Sequence, residues 1–314
     1  MTKPIDASPV RSRDSNDQDR GDALLEVRDS SVDYAAGTRA INGASLDIRP
    51  GERVAIVGES GSGKSTLALA VAGFLRADEL AAVEGTITFE GRVQTPAQAH
   101  RIPSRTPGIS MVFQDAMTSL DPVWSIGSQL RAVLKADGST PRRELDAAAR
   151  DWLIRVGLHD TERVMKSRPY ELSGGMRQRV MIALSLCGRP RLLIADEPTS
   201  ALDASLARGT MDLLVELVEA TGVSLLIVSH DIHLCLEYAD SLVVMYRGDV
   251  VEQGPSRLLA QHADHPYTQG LLHCVPTLEN ASSEELPTLA SFMAATGGPA
   301  SGSSTGQPAK ELAR

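Results

Sequence analysis

The sequence predicts an α/β protein built on a mostly parallel sheet with helices on both faces. Strand-like runs rich in branched apolar residues stand at 53–57, 191–195, Ser224–Ser229 and Ser241–Tyr246. Helical stretches such as 206–220 separate the later runs, so strand and helix alternate along the chain. Parallel strands need crossover connections of this kind, and those connections lay helices against the sheet.

Further strands and helices are predicted ahead of the run 191–195. The run 53–57 leads into a glycine-rich turn, and residues 65–74 after it form a predicted helix. From about Thr118 to Leu172 the pattern is helical, and residues 145–153 place apolar side chains at helical spacing. Four further short strands are predicted at 24–27, 44–48, 86–89 and 109–113.

Both ends of the chain are predicted to be disordered. Residues 1–21 are polar and charged, with little apolar periodicity. Residues 281–314 are similar, and the stretch 297–307 within them is rich in Gly, Ser and Pro.

Composition and charge indicate a soluble cytosolic protein. Its 314 residues are 42% hydrophobic and 23% charged, which is ordinary for a globular protein. The net charge of −9 argues against a nucleic-acid binder. No apolar run approaches the roughly 18 residues that a membrane-spanning helix needs, and no signal-peptide segment precedes the domain. Cys187, Cys235 and Cys274 are widely spaced and odd in number, as expected for reduced structural thiols.

Residues 58–66 read GESGSGKST and satisfy the phosphate-loop motif G-x-x-x-x-G-K-[ST] between a strand and a helix. Glycines in such a loop let successive N–H groups converge on phosphate oxygens. Lys64 supplies charge to the β- and γ-phosphates, and the Ser65 hydroxyl suits Mg²⁺. The alternative is a chance glycine-rich turn, which would rarely meet all four constrained positions between a strand and a helix. The predicted nucleotide-binding residues here are Gly58, Glu59, Ser60, Gly61, Ser62, Gly63, Lys64, Ser65 and Thr66.

Two adjacent carboxylates, Asp196 and Glu197, end the hydrophobic run 191–195. Ligands of a parallel sheet bind beyond the carboxyl ends of its strands, so both side chains are expected near the phosphates. We expect Asp196 to hold Mg²⁺ through water and Glu197 to orient or deprotonate the attacking water. The alternative is a solvated loop start that happens to be acidic.

Residues 172–179, LSGGMRQR, resemble the signature motif of ABC ATPases. The resemblance implies that Ser173, Gly174, Gly175 and Met176 act in trans, on the γ-phosphate of ATP held by a second subunit. It also implies a RecA-like P-loop NTPase core with an antiparallel β subdomain and an inserted helical subdomain. A serine and two glycines that open a helix form a suitable anion site.

The other motifs of that family are present as well. By resemblance, Gln114 is the Q-loop glutamine near Mg²⁺ and the membrane partner, and His230 is the switch histidine that contacts the γ-phosphate. Tyr34 stands where the family places an adenine-stacking aromatic, although a half-buried strand tyrosine is the open alternative. The D-loop, which crosses the dimer interface, corresponds to Ser200, Ala201, Leu202 and Asp203.

Two segments resemble the oligopeptide, dipeptide and nickel importer group. Residues 265–272, HPYTQGLL, are similar to its C-terminal signature and also read as a plain helix start, with Pro266 in the first turn. Residues 175–183 and 113–122 resemble the first (D-type) ATPase subunit of the group's unlike pair. Ala116 and Asp121 depart from that pattern, and no cysteine cluster follows residue 285, so we predict no iron–sulfur site.

The resemblance divides the chain into an ABC ATPase domain at 22–254, with its helical subdomain at about 115–172, and a C-terminal helical extension at 255–280. It implies ATP and Mg²⁺ as ligands, and a role in energising import of peptides, nickel or a metal chelate. The implied partners are a second ATPase subunit, two membrane permeases and an extracytoplasmic solute-binding protein, with no nucleic acid. The implied location is peripheral, on the cytoplasmic face of the inner membrane.

Several alternatives stay open at this point. A soluble ABC ATPase of DNA repair or translation would use the same motifs, but the acidic charge, the single cassette and the lack of a long coiled coil argue against it. A purely regulatory nucleotide-binding module is disfavoured because every catalytic position is intact. The solute cannot be read from this chain, and the ATPase partner is either a homologue or a second copy.

Overall fold

The structure is a computed structural model that describes residues 23–94, 106–113, 119–200 and 204–273. Its strands are β1 (Leu25–Tyr34), β2 (Arg39–Ile48), β3 (Arg53–Val57), β4 (Leu80–Phe89), β5 (Arg92–Gln94), β6 (Ile109–Val112), β7 (Leu192–Asp196), β8 (Ser224–Ser229), β9 (Ser241–Tyr246) and β10 (Asp249–Pro255). Its α-helices are α1 (Lys64–Ala72), α2 (Ile126–Asp137), α3 (Leu145–Arg155), α4 (Thr161–Lys166), α5 (Gly174–Cys187), α6 (Ala204–Thr221), α7 (Ile232–Tyr238), α8 (Ser256–Gln261) and α9 (Pro266–His273).

The central six-stranded sheet has the order β10-β9-β3-β8-β7-β6. All neighbours pair in parallel except the edge pair β9 and β10, which is antiparallel. Strands β3, β7 and β8 therefore point the same way, and the residues that follow them emerge at one edge of the sheet. The predicted mostly parallel sheet is confirmed, and this edge carries the candidate site.

A second, four-stranded sheet has the order β2-β1-β4-β5 and is antiparallel throughout. Its inner face packs through residues such as Leu25, Val27 and Ile41 against α1 and one face of the central sheet. The expected antiparallel β subdomain is therefore present.

The two faces of the central sheet bury different partners because side chains alternate along each strand. In β3, Val54 and Ile56 pack with α1 and the antiparallel sheet, whereas Ala55 and Val57 pack with the larger helical layer. That second core includes Leu186 of α5 and Leu214 of α6. Burial on both faces explains why these strands read as continuous apolar runs.

The helical segment between β6 and α5 contains α2, α3 and α4. Leu130, Leu153 and Val164, one from each helix, are fully buried in the core that they share with α5. Helix α2 begins at a Ser125 cap, whose hydroxyl accepts from the Ser128 N–H. The inserted helical subdomain is thus packed onto the helix that carries the signature motif.

No helix among the described residues is both long enough and apolar enough to cross a membrane. Two of the predicted structural thiols, Cys187 and Cys235, are buried and unbridged, and burial raises the pKa of Cys187 to about 12. Cys274 and the two ends predicted to be disordered, residues 1–21 and 281–314, lie outside the described residues.

Candidate functional site

The phosphate loop connects β3 to α1 and packs closely against the backbone at Ala40 and Met245. Gly58 and Gly63 both have positive φ angles, of 154° and 99°. A Cβ atom at Gly58 would lie 2.1 Å from the Met245 carbonyl oxygen, and one at Gly63 would lie 2.3 Å from the Ala40 carbonyl oxygen. Only glycine fits at these two positions, because any side chain would collide with backbone.

Lys64 is buried, with 5% of its surface exposed, at the start of α1. Its Nζ donates to the carbonyl oxygens of Gly58 and Glu59, each at 2.8 Å. Burial lowers the pKa of Lys64, while the carboxylates of Glu197 and Asp196 act in the opposite direction. The ammonium therefore links the start of the loop to the start of α1, and the negative charges of Asp196 and Glu197 act on it.

Asp196 ends β7 beside the phosphate loop and is buried, with 9% exposed. The Ser65 hydroxyl donates to Asp196 Oδ1 at 3.1 Å. Burial raises the pKa of Asp196, and the hydrogen bond from Ser65 opposes that rise. A hydroxyl and a carboxylate next to a phosphate loop are the oxygen donors that Mg²⁺ prefers, so the two predicted residues fit this ion.

Glu197 follows β7 with φ 48°, a left-handed conformation that is costly for a non-glycine residue. Its N–H donates to the Val228 carbonyl at 2.8 Å, which holds it against the end of β8. One residue beyond β8, the His230 Nδ1 lies 2.8 Å from Glu197 Oε2. The structure thus brings together the two predicted catalytic residues, which are separated by 33 positions in sequence.

One open cleft of about 800 Å³, a size suited to a small-molecule ligand, is bordered by Lys64, Glu197 and His230. The predicted residues Ser62 and Asp196 are not among those that line it. Tyr34 lies at its rim, with its hydroxyl 3.2 Å from the Thr66 Oγ1. The cleft also has lining residues that the sequence did not indicate: Thr38, Arg39, Ala40 and Leu271. The lining residues that were predicted are Tyr34, Gly58, Glu59, Ser60, Gly61, Gly63, Lys64, Ser65, Thr66, Glu197 and His230.

The signature residues lie elsewhere on the surface. Ser173 caps α5, its hydroxyl accepting from the Met176 N–H at 3.4 Å, and both Ser173 and Gly174 are exposed. None of residues 173–176 is among those that line the cleft around Lys64. Further along α5, Gln178 Nε2 donates at 2.6 Å to the carbonyl of Pro198, in the loop that follows Glu197.

Ser200, the first residue of the predicted D-loop, closes a turn in which its N–H and hydroxyl both donate to the Glu197 carbonyl. The other D-loop residues, Ala201, Leu202 and Asp203, lie outside the residues that the structure describes, and so does Gln114. Their predicted roles therefore stay predictions.

One contact of the phosphate loop was missed entirely. The Glu59 N–H donates to the Tyr267 hydroxyl of α9 at 2.8 Å. The HPYT motif indicated a helix start at this position but gave no partner for the tyrosine, since the two residues are 208 positions apart.

Comparison with known proteins agrees with this geometry. The ABC transporter family profile matches residues 41–200, just over half of the chain. The chain belongs to the ABC transporter family. In this ABC protein, the matched region runs from within β2 through the phosphate loop, the signature and Glu197. Residues 251–302 match a second family, the oligopeptide/dipeptide transporter C-terminal region.

The curated relatives of this ABC protein include two oligopeptide transport ATP-binding proteins named OppD. The one from Escherichia coli is 40% identical over 87% of this chain and 81% of its own length. The one from Bacillus subtilis is 38% identical over 85% of this chain and 75% of its own length.

Solved ABC structures share the fold. Clostridium perfringens cbiO1, part of the ABC transporter complex cbiONQ, aligns with a TM-score of 0.62 at 30% identity, over 76% of this chain and 92% of its own. A dimeric ATP-binding cassette in a post-hydrolysis state, bound to ADP and phosphate, aligns with a TM-score of 0.62 at 26% identity, over 74% of this chain and 99% of its own. This ABC protein is accordingly an ATP-binding ATPase.

Proposed function

We propose that this chain is the ATP-hydrolysing subunit that energises import of peptides or a related solute, nickel or a metal chelate, across the cytoplasmic membrane. The observation that carries the ATPase part is the 2.8 Å contact of Glu197 with His230 in the same cleft as Lys64. The match of residues 251–302 to the oligopeptide/dipeptide transporter C-terminal region, together with the names of the curated relatives, supports peptides as the solute class.

In the proposed reaction, the phosphate-loop amides and Lys64 bind the β- and γ-phosphates of ATP. Glu197 accepts a proton from a water molecule while the water oxygen bonds to the γ-phosphorus. The bond between the γ-phosphorus and the bridging oxygen breaks, and that oxygen leaves with ADP. His230 Nδ1–H donates to the Glu197 carboxylate, and Nε2 can donate to the γ-phosphate when both ring nitrogens carry a proton. Ser65, Asp196 and Gln114 would hold Mg²⁺, which neutralises charge on the phosphates when it is bound.

The signature motif is proposed to act on a second subunit. Residues Ser173, Gly174, Gly175 and Met176 open α5 on an exposed surface apart from the chain's own cleft. A helix N-terminus with free N–H groups binds phosphate well, so this surface suits ATP held by a partner. Two such chains facing head to tail would enclose two ATP molecules and would open again once phosphate leaves.

The proposed complex is a second ATPase subunit, two membrane permeases and an extracytoplasmic solute-binding protein, with this chain peripheral on the cytoplasmic face. The test is to purify tagged Glu197→Gln from its native host with ATP in mild detergent, and to identify co-purifying proteins by mass spectrometry. The matched control carries Lys64→Ala in addition, so that it cannot hold ATP.

Recovery of a second ATPase subunit and permeases, reduced in the control, would establish the importer. The solute-binding protein encoded or recovered with them could then be screened against peptides and metal chelates. Recovery of this chain alone, or of ribosomes or repair proteins, would remove the transport proposal and leave the ATPase.

A further inference from the structure

We propose that Tyr267 is a positioning residue for the phosphate loop, through which the C-terminal helix α9 sets the affinity for ATP. This inference rests on ATP binding by the chain and is independent of the transported solute. It gives the HPYT segment a role in the nucleotide site, in addition to its role as a helix start.

The Tyr267 side chain is fully buried beneath the loop. Its hydroxyl accepts from the Glu59 N–H at 2.8 Å. Its ring packs on Tyr246 at the end of β9, with the ring centroids 4.3 Å apart and the planes tilted by 36°. Burial raises the pKa of Tyr267 to about 12, so the hydroxyl is neutral at physiological pH. The ring packing fixes where the hydroxyl oxygen sits, and that oxygen fixes the Glu59 amide.

The peptide group between Gly58 and Glu59 is held at both of its polar atoms. Its N–H, that of Glu59, donates to Tyr267, and its carbonyl oxygen, that of Gly58, accepts from the Lys64 ammonium at 2.8 Å. These two hydrogen bonds fix the orientation of this peptide within the phosphate loop. If the tyrosine hydroxyl is lost, this peptide is free to rotate and Lys64 loses a fixed acceptor, so the loop binds phosphate in a less defined shape.

Helix α9 is firmly anchored where it begins. The Glu252 carboxylate of β10 accepts from the N–H groups of Asp264 and His265, at 2.8 and 3.2 Å. His265 Nδ1 in turn accepts from the Tyr267 N–H at 3.1 Å. The tyrosine is therefore fixed relative to the edge of the central sheet and does not depend on the loop for its position.

The far end of α9 reaches the other side of the cleft. His233 Nε2 of α7 lies 3.3 Å from the Leu272 carbonyl oxygen, and Leu271 lines the cleft itself. His233 is three residues beyond His230. One short helix thus contacts both the phosphate loop and the helix that follows the switch histidine.

The test is Tyr267→Phe in the full-length chain, which keeps the buried ring and removes only the hydroxyl. The dissociation constant of ATP with Mg²⁺ is measured by titration calorimetry, and Tm by differential scanning calorimetry. We expect the Kd and the KM for ATP to rise about threefold to tenfold, the range that follows from the loss of one hydrogen bond, with a smaller change in kcat.

The matched control is Tyr238→Phe. Tyr238 is also largely buried, and its hydroxyl donates to Asp212 Oδ1 at 2.6 Å, between α7 and α6. This variant should lower Tm and leave the Kd for ATP unchanged. An unchanged Kd in Tyr267→Phe, or an equal rise in both variants, would overturn the positioning role. Failure of the wild-type chain to bind ATP would instead refute the proposed function.

Discussion

His230 Nδ1 lies 2.8 Å from Glu197 Oε2, so that one hydrogen bond joins the residues that follow two neighbouring parallel strands, β8 and β7. The Glu197 side chain is 13% exposed and that of His230 is 62% exposed. The carboxylate is thus shielded by the protein, whereas the imidazole faces the open cleft where a nucleotide would bind.

Replacing Glu197 by Gln should abolish hydrolysis while ATP still binds. Glutamine keeps the shape and the contact with His230 but cannot accept a proton, and loss of general-base catalysis lowers rates roughly 10²- to 10⁴-fold. Phosphate release and ATP affinity would be measured side by side. Hydrolysis at the wild-type rate would show that another group activates the water.

Replacing His230 by Ala should lower the rate of hydrolysis by about 10²-fold, with a smaller effect on ATP affinity, because a donor aimed at the reacting phosphate acts mainly in the transition state. His262→Ala is the control, since that histidine is exposed at the end of α8 and does not line the cleft. If both variants hydrolyse ATP at the same rate, the proposed role of His230 is wrong.

Replacing Asp196 by Asn should stabilise the nucleotide-free protein near neutral pH. Burial raises the folded pKa of Asp196 above 3.8. Between the unfolded and the folded pKa, the folded state therefore binds more protons than the unfolded chain. Stability from this group is therefore lost as pH rises through the folded pKa, and Asn removes that loss. Tm measured across pH should show a gap between Asn and Asp that closes below about pH 3.8.

The same Asp196→Asn variant should lose hydrolysis by about 10- to 100-fold, as expected when a group that supports a metal ion is removed. Hydrolysis measured over a series of Mg²⁺ concentrations should reach half of its maximum at a higher Mg²⁺ concentration in the variant than in the wild type. A variant that is less stable near neutral pH would contradict the first expectation, and one that keeps its activity would contradict the second.

Replacing Gly63 by Ala should damage the phosphate loop far more than Gly61→Ala does. Both glycines have positive φ, at 99° and 80°, so each substitution costs about 1–2 kcal/mol of backbone strain. A Cβ at Gly63 also meets the Ala40 carbonyl oxygen at 2.3 Å, whereas one at Gly61 meets nothing within 4 Å. Tm and ATP affinity should both fall further for Gly63→Ala, and equal losses would contradict the clash.

Tyr34 is predicted to stack on adenine through its ring. Tyr34→Ala should weaken ATP binding by about 1–3 kcal/mol, the range for base stacking on an aromatic residue, and Tyr34→Phe should keep most of the affinity. Titration calorimetry compares the three proteins. If Tyr34→Phe binds as weakly as Tyr34→Ala, the hydroxyl contact with Thr66 is what matters instead.

The five parallel strands of the central sheet were predicted well because they are buried and are bounded by clear breaks, whereas the more exposed antiparallel edge strand β10 was not predicted. Ser241–Tyr246 was predicted at the bounds of β9, with Asp240 before it and Arg247-Gly248 after it. The phosphate loop, Asp196 and Glu197 could be predicted because their chemistry demands particular residue types at fixed local spacing.

The outer sheet was predicted less completely. Strand β1 continues to Tyr34, well beyond the predicted end at Val27. The prediction ended early because Asp29 has φ 48° and the pairing register shifts there. A bulge moves later side chains out of the two-residue alternation, so the remaining pattern no longer reads as a strand. The partner strand β4 has its own irregularity at Gly85, with φ 84°.

The contact of Tyr267 with Glu59 could not have been predicted, because nothing local marks it. Its motif specifies a helix start, and the partner of its hydroxyl depends on how β10 and α9 turn back beneath the phosphate loop. Contacts that depend on tertiary packing in this way leave no periodic signal in the sequence.

The hydrogen bonds of Lys64 also affect how the chain binds a nucleotide. An ammonium has three N–H groups, and two of these already donate to the Gly58 and Glu59 carbonyls. Among the described residues, the third has no acceptor, so an incoming phosphate oxygen can take it without displacing either carbonyl. The loop thus has its curvature before the nucleotide arrives, and little conformational entropy is left to lose on binding.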